Sequence, residues 1–456
     1  MASVANVKSA GIAADPESLL AEMVTLAKKK GAEAADAVLV DAASLAVACR
    51  LGHIETLERA ESGDLGLRVL IGKKQAIVSS TNRKPAALEE LVERAIAMAR
   101  AAPEDEFCGL AAPDEIAHQW PVLDIADSHE PSAEQLIAAA REAEDAARAV
   151  KGVSNSEGAD ASYGASHIAF VASNGFAGRY RRTSFGLGAS MIAGDGTNME
   201  RDYHGEGRVF AADLPQPAAI GREAGERTVK RLGSRKMPTA QVPVVFEPRV
   251  AGGMLGHLSG AISGASIARG TSFLKDKLGQ KIFPGNITII DDPFRTRGFR
   301  SHPFDGEGLL PQRRKIVENG VLTTWLLDLR SARQLKLTST GHASRGAGGL
   351  PSPAPSNFYL EAGTKTSSEL INDIKSGFYV TELMGYGVNG VTGDYSRAAA
   401  GFWIENGAIT FPVNEMTIAG NLKDMFLNLS AADDLQFLHG LDAPTIRIDG
   451  MTVAGV

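Results

Sequence analysis

The sequence predicts an α/β chain of the α+β kind, with an N-terminal α+β half and a strand-rich C-terminal half that carries a glycine-faced helix. Three observations carry that expectation. Residues 15–101 read as helix, strands and helix from their apolar periods. After residue 150 short apolar runs are punctuated by Asn-Gly turns at 174–175, 319–320, 389–390 and 406–407, a strong hairpin signal. From Val242 to Asp305 one stretch reads as strand, glycine-faced helix, loop, strand and acidic turn.

Residues 1–14 read as a flexible leader. Asp15 is placed to cap a helix with Pro16 in its first turn, and Gly31 ends it. Ala37 to Val40 and Leu45 to Arg50 read as strands, and Leu65 to Ile71 with Ala76 to Ser79 as a hairpin around Gly72. Pro85 to Ala101 has the apolar spacing of a helix. Residues 103–131 are rich in proline and acid and read as an irregular connection. Ser132 and Gln135 form a capping box that opens an alanine-rich helix to about Val150. Short strands are expected over 152–212 and a helix over Leu214 to Leu232. The chain thus divides into an N-terminal region, 15–235, and a C-terminal region, 240–456.

In the central stretch, Val244-Val245-Phe246 reads as a buried strand closed by Pro248. Gly252, Gly256, Gly260 and Gly264 follow at a spacing of four, one helical face. Each glycine costs a helix about 1 kcal/mol relative to alanine, so the stripe implies close backbone approach. Further on, Lys315 to Leu329 and Phe402 to Pro412 read as hairpins, Ser367 to Ser376 as a short helix and Thr445 to Val453 as a strand. Residues 341–357 are too rich in Gly, Pro and Ser for a core element, and long loops of this kind are often functional.

Composition excludes several classes. With 44% hydrophobic and 22% charged residues, the chain can bury a core. A net charge of −7 argues against nonspecific nucleic-acid binding. Two cysteines, Cys49 and Cys108, do not make a disulfide framework. Neither a signal-peptide core nor a run of about 20 apolar residues is present, so a cytoplasmic protein with no membrane contact is expected. The basic cluster Arg179-Tyr180-Arg181-Arg182 reads first as a solvated strand face, and second as a binding patch.

The chemistry-bearing residues are sparse. No HExxH, GxSxG or P-loop occurs, and the nine histidines show no ligand spacing. His257 is the leading polar candidate, set against the plainer reading of a packed helix histidine. Asp291, Asp292, Asp305 and Glu307 could serve acid–base work or hold a cation, but Asp-Asp-Pro and Asp-Gly are ordinary turn chemistry, which is the favoured reading.

The Val242–Asp305 segment, with Ser272-Phe273-Leu274, Asp291-Asp292-Pro293, Asp305-Gly306-Glu307-Gly308, Glu318-Asn319-Gly320 and Ser339-Thr340-Gly341, resembles the TldD/PmbA family, and most closely its PmbA branch, also called TldE. The resemblance runs from about Ala32 onward. It implies one subunit of a two-subunit cytosolic metallopeptidase. In the TldD branch the equivalent helix carries an HExxxH zinc motif. Here its first His falls on Gly256, its Glu on His257 and its second His on Ala261. The resemblance therefore implies a chain with no zinc or other cofactor of its own and no catalytic residues. Its partner would be a TldD-type zinc subunit, or a second copy of itself, and its substrate a peptide. Two alternatives stand beside it: a regulatory protein, after the family's older label of DNA gyrase modulator, and a metal-independent homodimeric hydrolase. A cleft for substrate or partner is expected at Gly256, His257 and Gly260. Tyr395, Ser396, Arg397 and Ala399 would form an exposed strand edge that grips a peptide main chain, with the 341–349 loop as the facing wall.

Overall fold

The structure, a computed structural model, describes residues 15–455, so the expected leader lies outside the described residues. Helix α1 (Pro16–Lys29) starts where Asp15 accepts the Ser18 N–H, and buries Leu20, Met23, Val24 and Ala27. It packs with α2 (Pro85–Ala101) on a six-stranded antiparallel sheet whose strands are β1 (Ala34–Arg50), β2 (His53–Ile71), β3 (Lys74–Ser80), β4 (Val153–Ala172), β5 (Ala177–Ala193) and β6 (Glu200–Arg208), in the order β3-β2-β1-β4-β5-β6. The connection over 103–131 has no helix or strand, as expected, and α3 (Ala133–Arg148) opens on the Ser132/Gln135 capping box. With α4 (Pro217–Lys230) it covers Leu45, Val47 and Cys49 of β1.

The strands are longer than their sequence suggests. Residues 37–50 form part of one 17-residue strand, not two. The weakly apolar Asp41-Ala42-Ala43-Ser44 stays extended because β2 and β4 pair it on both sides. All four helices lie on the β1 face that carries Leu39, Leu45 and Val47. Val38 and Val40 have the opposite parity, and Val38 joins Phe170, Phe176 and Phe304 in a separate cluster beneath the C-terminal half. Further along that second face the residues are small apart from Arg182: Ser166, Gly164 and Ser162 on β4 lie beside Arg182, Ser184 and Gly186 on β5.

The C-terminal half begins with β7 (Ala240–Phe246) and α5 (Pro248–Ala261). The helix ends at Ile262, and a second short one, α6 (Gly264–Ala268), follows a break where the Gly264 N–H donates to the Leu326 carbonyl. The four-glycine stripe is therefore split. A side chain on Gly252 would strike the Leu441 carbonyl, and one on Gly264 would strike Ser331 and Leu327. Gly256 only grazes Leu441 at 3.9 Å, and Gly260 faces open space. Close approach is confined to the two ends of the stripe.

Next come β8 (Ile289–Asp292), β9 (Arg314–Glu318), β10 (Val321–Leu322), α7 (Leu329–Leu335), β11 (Ala343–Ser344), β12 (Ser352–Pro353) and β13 (Asn357–Leu360). Then follow β14 (Ser376–Met384), β15 (Asp394–Glu405), β16 (Ala408–Asn421), β17 (Leu429–Ala431), β18 (Leu441–Asp442) and β19 (Ile446–Ala454). A five-stranded sheet has the order β10-β9-β8-β13-β18. The second sheet, β16-β15-β14-β7-β19-β17, closes on itself because β16 also pairs β19, through Thr417 and Ala454. The result is a small barrel, filled by residues such as Val244, Phe378, Trp403 and Met451.

Candidate functional site

Two places gather the chemistry-bearing residues. The first is the one expected from sequence. His257 on α5 meets Tyr395 on β15 ring to ring, edge-on, at 5.7 Å. The His257 Nε2 and the Tyr395 hydroxyl are both buried and, among the described residues, without a partner. Burial, with Arg397 adding to it, holds the His257 imidazole below its ordinary range, so it is neutral at pH 7. Burial pushes the Tyr395 phenol up. Arg397 donates through Nε to the Met384 carbonyl and lies 5.8 Å from the fully exposed Tyr386 ring. The structure thus brings His257, Tyr395 and Arg397 together, with Gly256 alongside and Gly260 exposed.

The expected open edge at 395–399 is corrected. Ala399 is fully buried and pairs with Leu383 on one side and Met416 on the other. Tyr395 pairs Gly420 and bridges Val388, and the Ser396 N–H donates to the Gly387 carbonyl at 2.6 Å. Flanked by β16 on one side and by β14 and residues 387–388 on the other, β15 has no free ladder at these positions. The small residues that follow serve the barrel itself, since a side chain on Gly401 would strike the Tyr379 carbonyl. The 341–349 loop does not face His257; it lines the second place.

That place is a crevice of about 650 Å³ between the N-terminal sheet and the C-terminal half. Val40, Ile168 and Phe170 come from the sheet, and Phe304, His302 and His342 from the other side. Asp291, at the end of β8, accepts the Ser356 N–H at 2.7 Å and the Ser356 hydroxyl at 2.5 Å. The His342 Nε2 lies 3.2 Å from the same carboxylate, and its Nδ1 lies 2.8 Å from the Thr340 hydroxyl. These are the residue types of a hydrolytic triad, but the wiring differs. The serine hydroxyl is bonded to the acid, so no base stands ready to take its proton. His302 places Nδ1 at 2.9 Å from the Arg300 carbonyl, which makes that nitrogen the protonated one, and burial holds the ring below its ordinary range.

Behind this wall lies a charged layer. Asp305 accepts N–H groups from Glu307, Leu309 and Ala343. Burial lifts Asp305 to about 6 and, with the Asp305 charge added, Glu307 to about 8. Asp36 of β1 sits between Arg68 of β2 and Arg345 of the loop, all with buried side chains. Burial works against the Asp36 charge, yet the two guanidiniums hold its carboxyl below the usual range. Sequence reading took Asp305 for a turn residue, which its bonds to Glu307 and Leu309 confirm. It did not connect His302, His342 and Arg345. The loop's Gly/Pro/Ser composition was the one signal that pointed toward them.

Among the described residues no group of three or more His, Cys, Asp or Glu is gathered where it could hold a metal ion. Among the same residues no helix is long and apolar enough to cross a membrane.

Comparison with known proteins gives one answer along the chain. Residues 35–99 match the model for "PmbA/TldA metallopeptidase domain 1", 126–232 the central domain and 239–455 the C-terminal domain. Metalloprotease PmbA of Escherichia coli O157:H7 is 38% identical over 94% of this chain and 93% of its own. The Metalloprotease PmbA homolog of Haemophilus influenzae is 36% identical over 95% of this chain and 94% of its own. Among solved structures, a putative modulator of DNA gyrase from Bacteroides thetaiotaomicron superposes with a TM-score of 0.90 at 26% identity, covering 98% of this chain and 100% of that one. TldE from Thermococcus kodakarensis gives 0.86 at 19% identity over 96% and 100%, a likeness of fold.

Proposed function

From the premise that the chain belongs to the PmbA/TldD metallopeptidase family, we propose that it is a TldE-like, cytoplasmic subunit of a TldD/TldE-type peptidase. It acts in peptide processing beside a zinc-bearing partner of TldD type and does not cleave peptides alone. The observation that carries this reading is the make-up of α5. Over Pro248–Ala261 the helix offers one imidazole, His257, and no carboxylate. That donor set does not fit a zinc ion held by this helix, which needs two further ligands and a general base. His257 and Arg397 would instead line the wall next to the partner's active site.

Two measurements test the reading. Metal analysis of the dialysed chain is expected to find no stoichiometric zinc. Peptide turnover is expected from a mixture with a TldD-type partner and not from this chain by itself. A tightly held zinc, or full turnover by the isolated chain, overturns it. A second reading, regulation of DNA gyrase, draws support only from names such as that of the Bacteroides thetaiotaomicron neighbour; a supercoiling assay with and without the chain decides it.

A further inference from the structure

The crevice between the halves holds more donors than its own acceptors use. Three arginines are among its lining residues, Arg182, Arg300 and Arg345, the last with its side chain reaching into the charged layer behind the wall. The two carboxylates on the same wall are already engaged, Asp291 by Ser356 and His342, and Asp305 by three backbone N–H groups. Arg182 gives one N–H to the Phe299 carbonyl, and among the described residues neither it nor Arg300 pairs with a carboxylate.

Arg345 carries the argument. Its side chain is 1% exposed, and it reaches Asp36 through Nη1 alone. Among the described residues its Nε and Nη2 have no acceptor. Asp36 cannot supply one, because Arg68 takes its other oxygen through both Nε and Nη2. The Nε/Nη2 edge is a side of the guanidinium that holds a carboxylate with two parallel bonds. Unmet donors on a buried cation are costly, and a fold retains them where something else meets them. Apolar side chains share the crevice with these cations, Val40, Ile168 and Phe170 from the sheet and Phe304 from the C-terminal half.

We infer that the crevice binds a small carboxylate with an apolar body, such as a free acid or the C-terminal residue of a peptide, and that the Nε/Nη2 edge of Arg345 is its anchor. The site is separate from the α5 region and does not depend on the subunit role proposed above. Its test needs this chain alone.

Calorimetric titration of the full chain with N-acetylphenylalanine, with its amide, and with a pentapeptide ending in phenylalanine, free or amidated, is the experiment. The free acids are expected to bind at least about tenfold tighter than the matching amides, the worth of a charge-assisted pair of bonds. A tighter pentapeptide acid assigns the site to chain ends; equal affinity of the two acids assigns it to small free acids. Arg345→Met should abolish binding, although it also strips a partner from Asp36. Ser166→Trp leaves the Arg345–Asp36 pair intact and fills the middle of the crevice, so it should abolish binding too. The inference is overturned if acids and amides bind alike, if none binds, if inorganic phosphate competes as well as the acids, or if a folded Ser166→Trp protein still binds them.

Discussion

The two halves of the molecule meet along two seams that spend their charges differently. At one, β6 and α4 face β7, α5 and β14. Arg231 bonds Glu382 at 2.6 Å and lies within 3.7 Å of Asp202, while Arg249 takes both oxygens of Asp202 and also reaches Glu247. Arg227 adds a bond to Glu247 at 2.8 Å. Cation and anion alternate there, and every guanidinium faces a carboxylate, although among the described residues the Arg249 Nε beside Glu247 makes no hydrogen bond. At the other seam, the crevice, Arg345 keeps an edge free and Arg300 pairs with no acid among the described residues. The first seam fastens and the second has binding capacity to spare. Charge at a domain contact is therefore uninformative until its partners are counted: a network in which each cation edge faces an acid is structural, and a cation edge with no acid beside it is a place to look for ligands.

Breaking the first seam should have the largest effect. Asp202→Asn leaves Arg249 and Arg231 short of an anion in a buried setting, and is expected to cost about 3–5 kcal/mol in chemical denaturation. A loss below about 1 kcal/mol would erase the contrast between the seams. Next is Gly252→Ala, where the new methyl meets the Leu441 carbonyl on β18, the strand whose Gly440 also abuts the Arg300 stem. About 1–3 kcal/mol is expected there, and almost nothing for Gly260→Ala beyond helix propensity. Equal melting temperatures for the two variants would show that α5 is not wedged against the C-terminal sheet.

The smallest effect sharpens the crevice side through pH. Glu307 keeps its proton in the folded state to about 8, well above the ordinary glutamate range. The folded state binds more protons between those two values, so this group's contribution is full below the ordinary range and falls away as pH rises through about 8. Stability should thus decline as pH rises from about 5 toward 8. Glu307→Gln should flatten that decline. An unchanged pH profile in the variant would mean that the carboxyl ionises freely.

Much of this architecture was legible in the residues, and the parts that were not have a common cause. Caps and turns are local: Asp15, Ser132 with Gln135, and Asn406-Gly407 each mark an element boundary within a few positions. Strand continuity through Asp41–Ser44 is not local, since it is imposed by neighbours on both sides. Barrel closure depends on Thr417 meeting Ala454, and the expected peptide-binding edge is interior because β15 lies between β14 and β16. The crevice is harder still. Asp36, Asp291, His302 and Arg345 come from four distant segments, and each alone reads as turn, strand or loop chemistry. The helix at Pro248–Ala261 was found because its glycines recur, yet only Gly252 and Gly264 are tightly packed.

The pairing of β7 with β19 has a consequence for how the chain reaches this shape. Ala240 lies against Val453, so the barrel's first and last strands are neighbours across more than two hundred residues of intervening chain. Contacts of that separation require a large loop to close before they repay its entropy, and they form late. The N-terminal sheet can grow largely by zipping hairpins, β2 onto β3 and β4 onto β5. The barrel has to wait. Until β19 arrives, Val244, Val245 and Phe246 lack one of their two flanking strands, and an apolar edge of that kind invites pairing between chains. Refolding yield should fall with protein concentration for this reason, and a chaperone that covers exposed strands would help the C-terminal half far more than the N-terminal one.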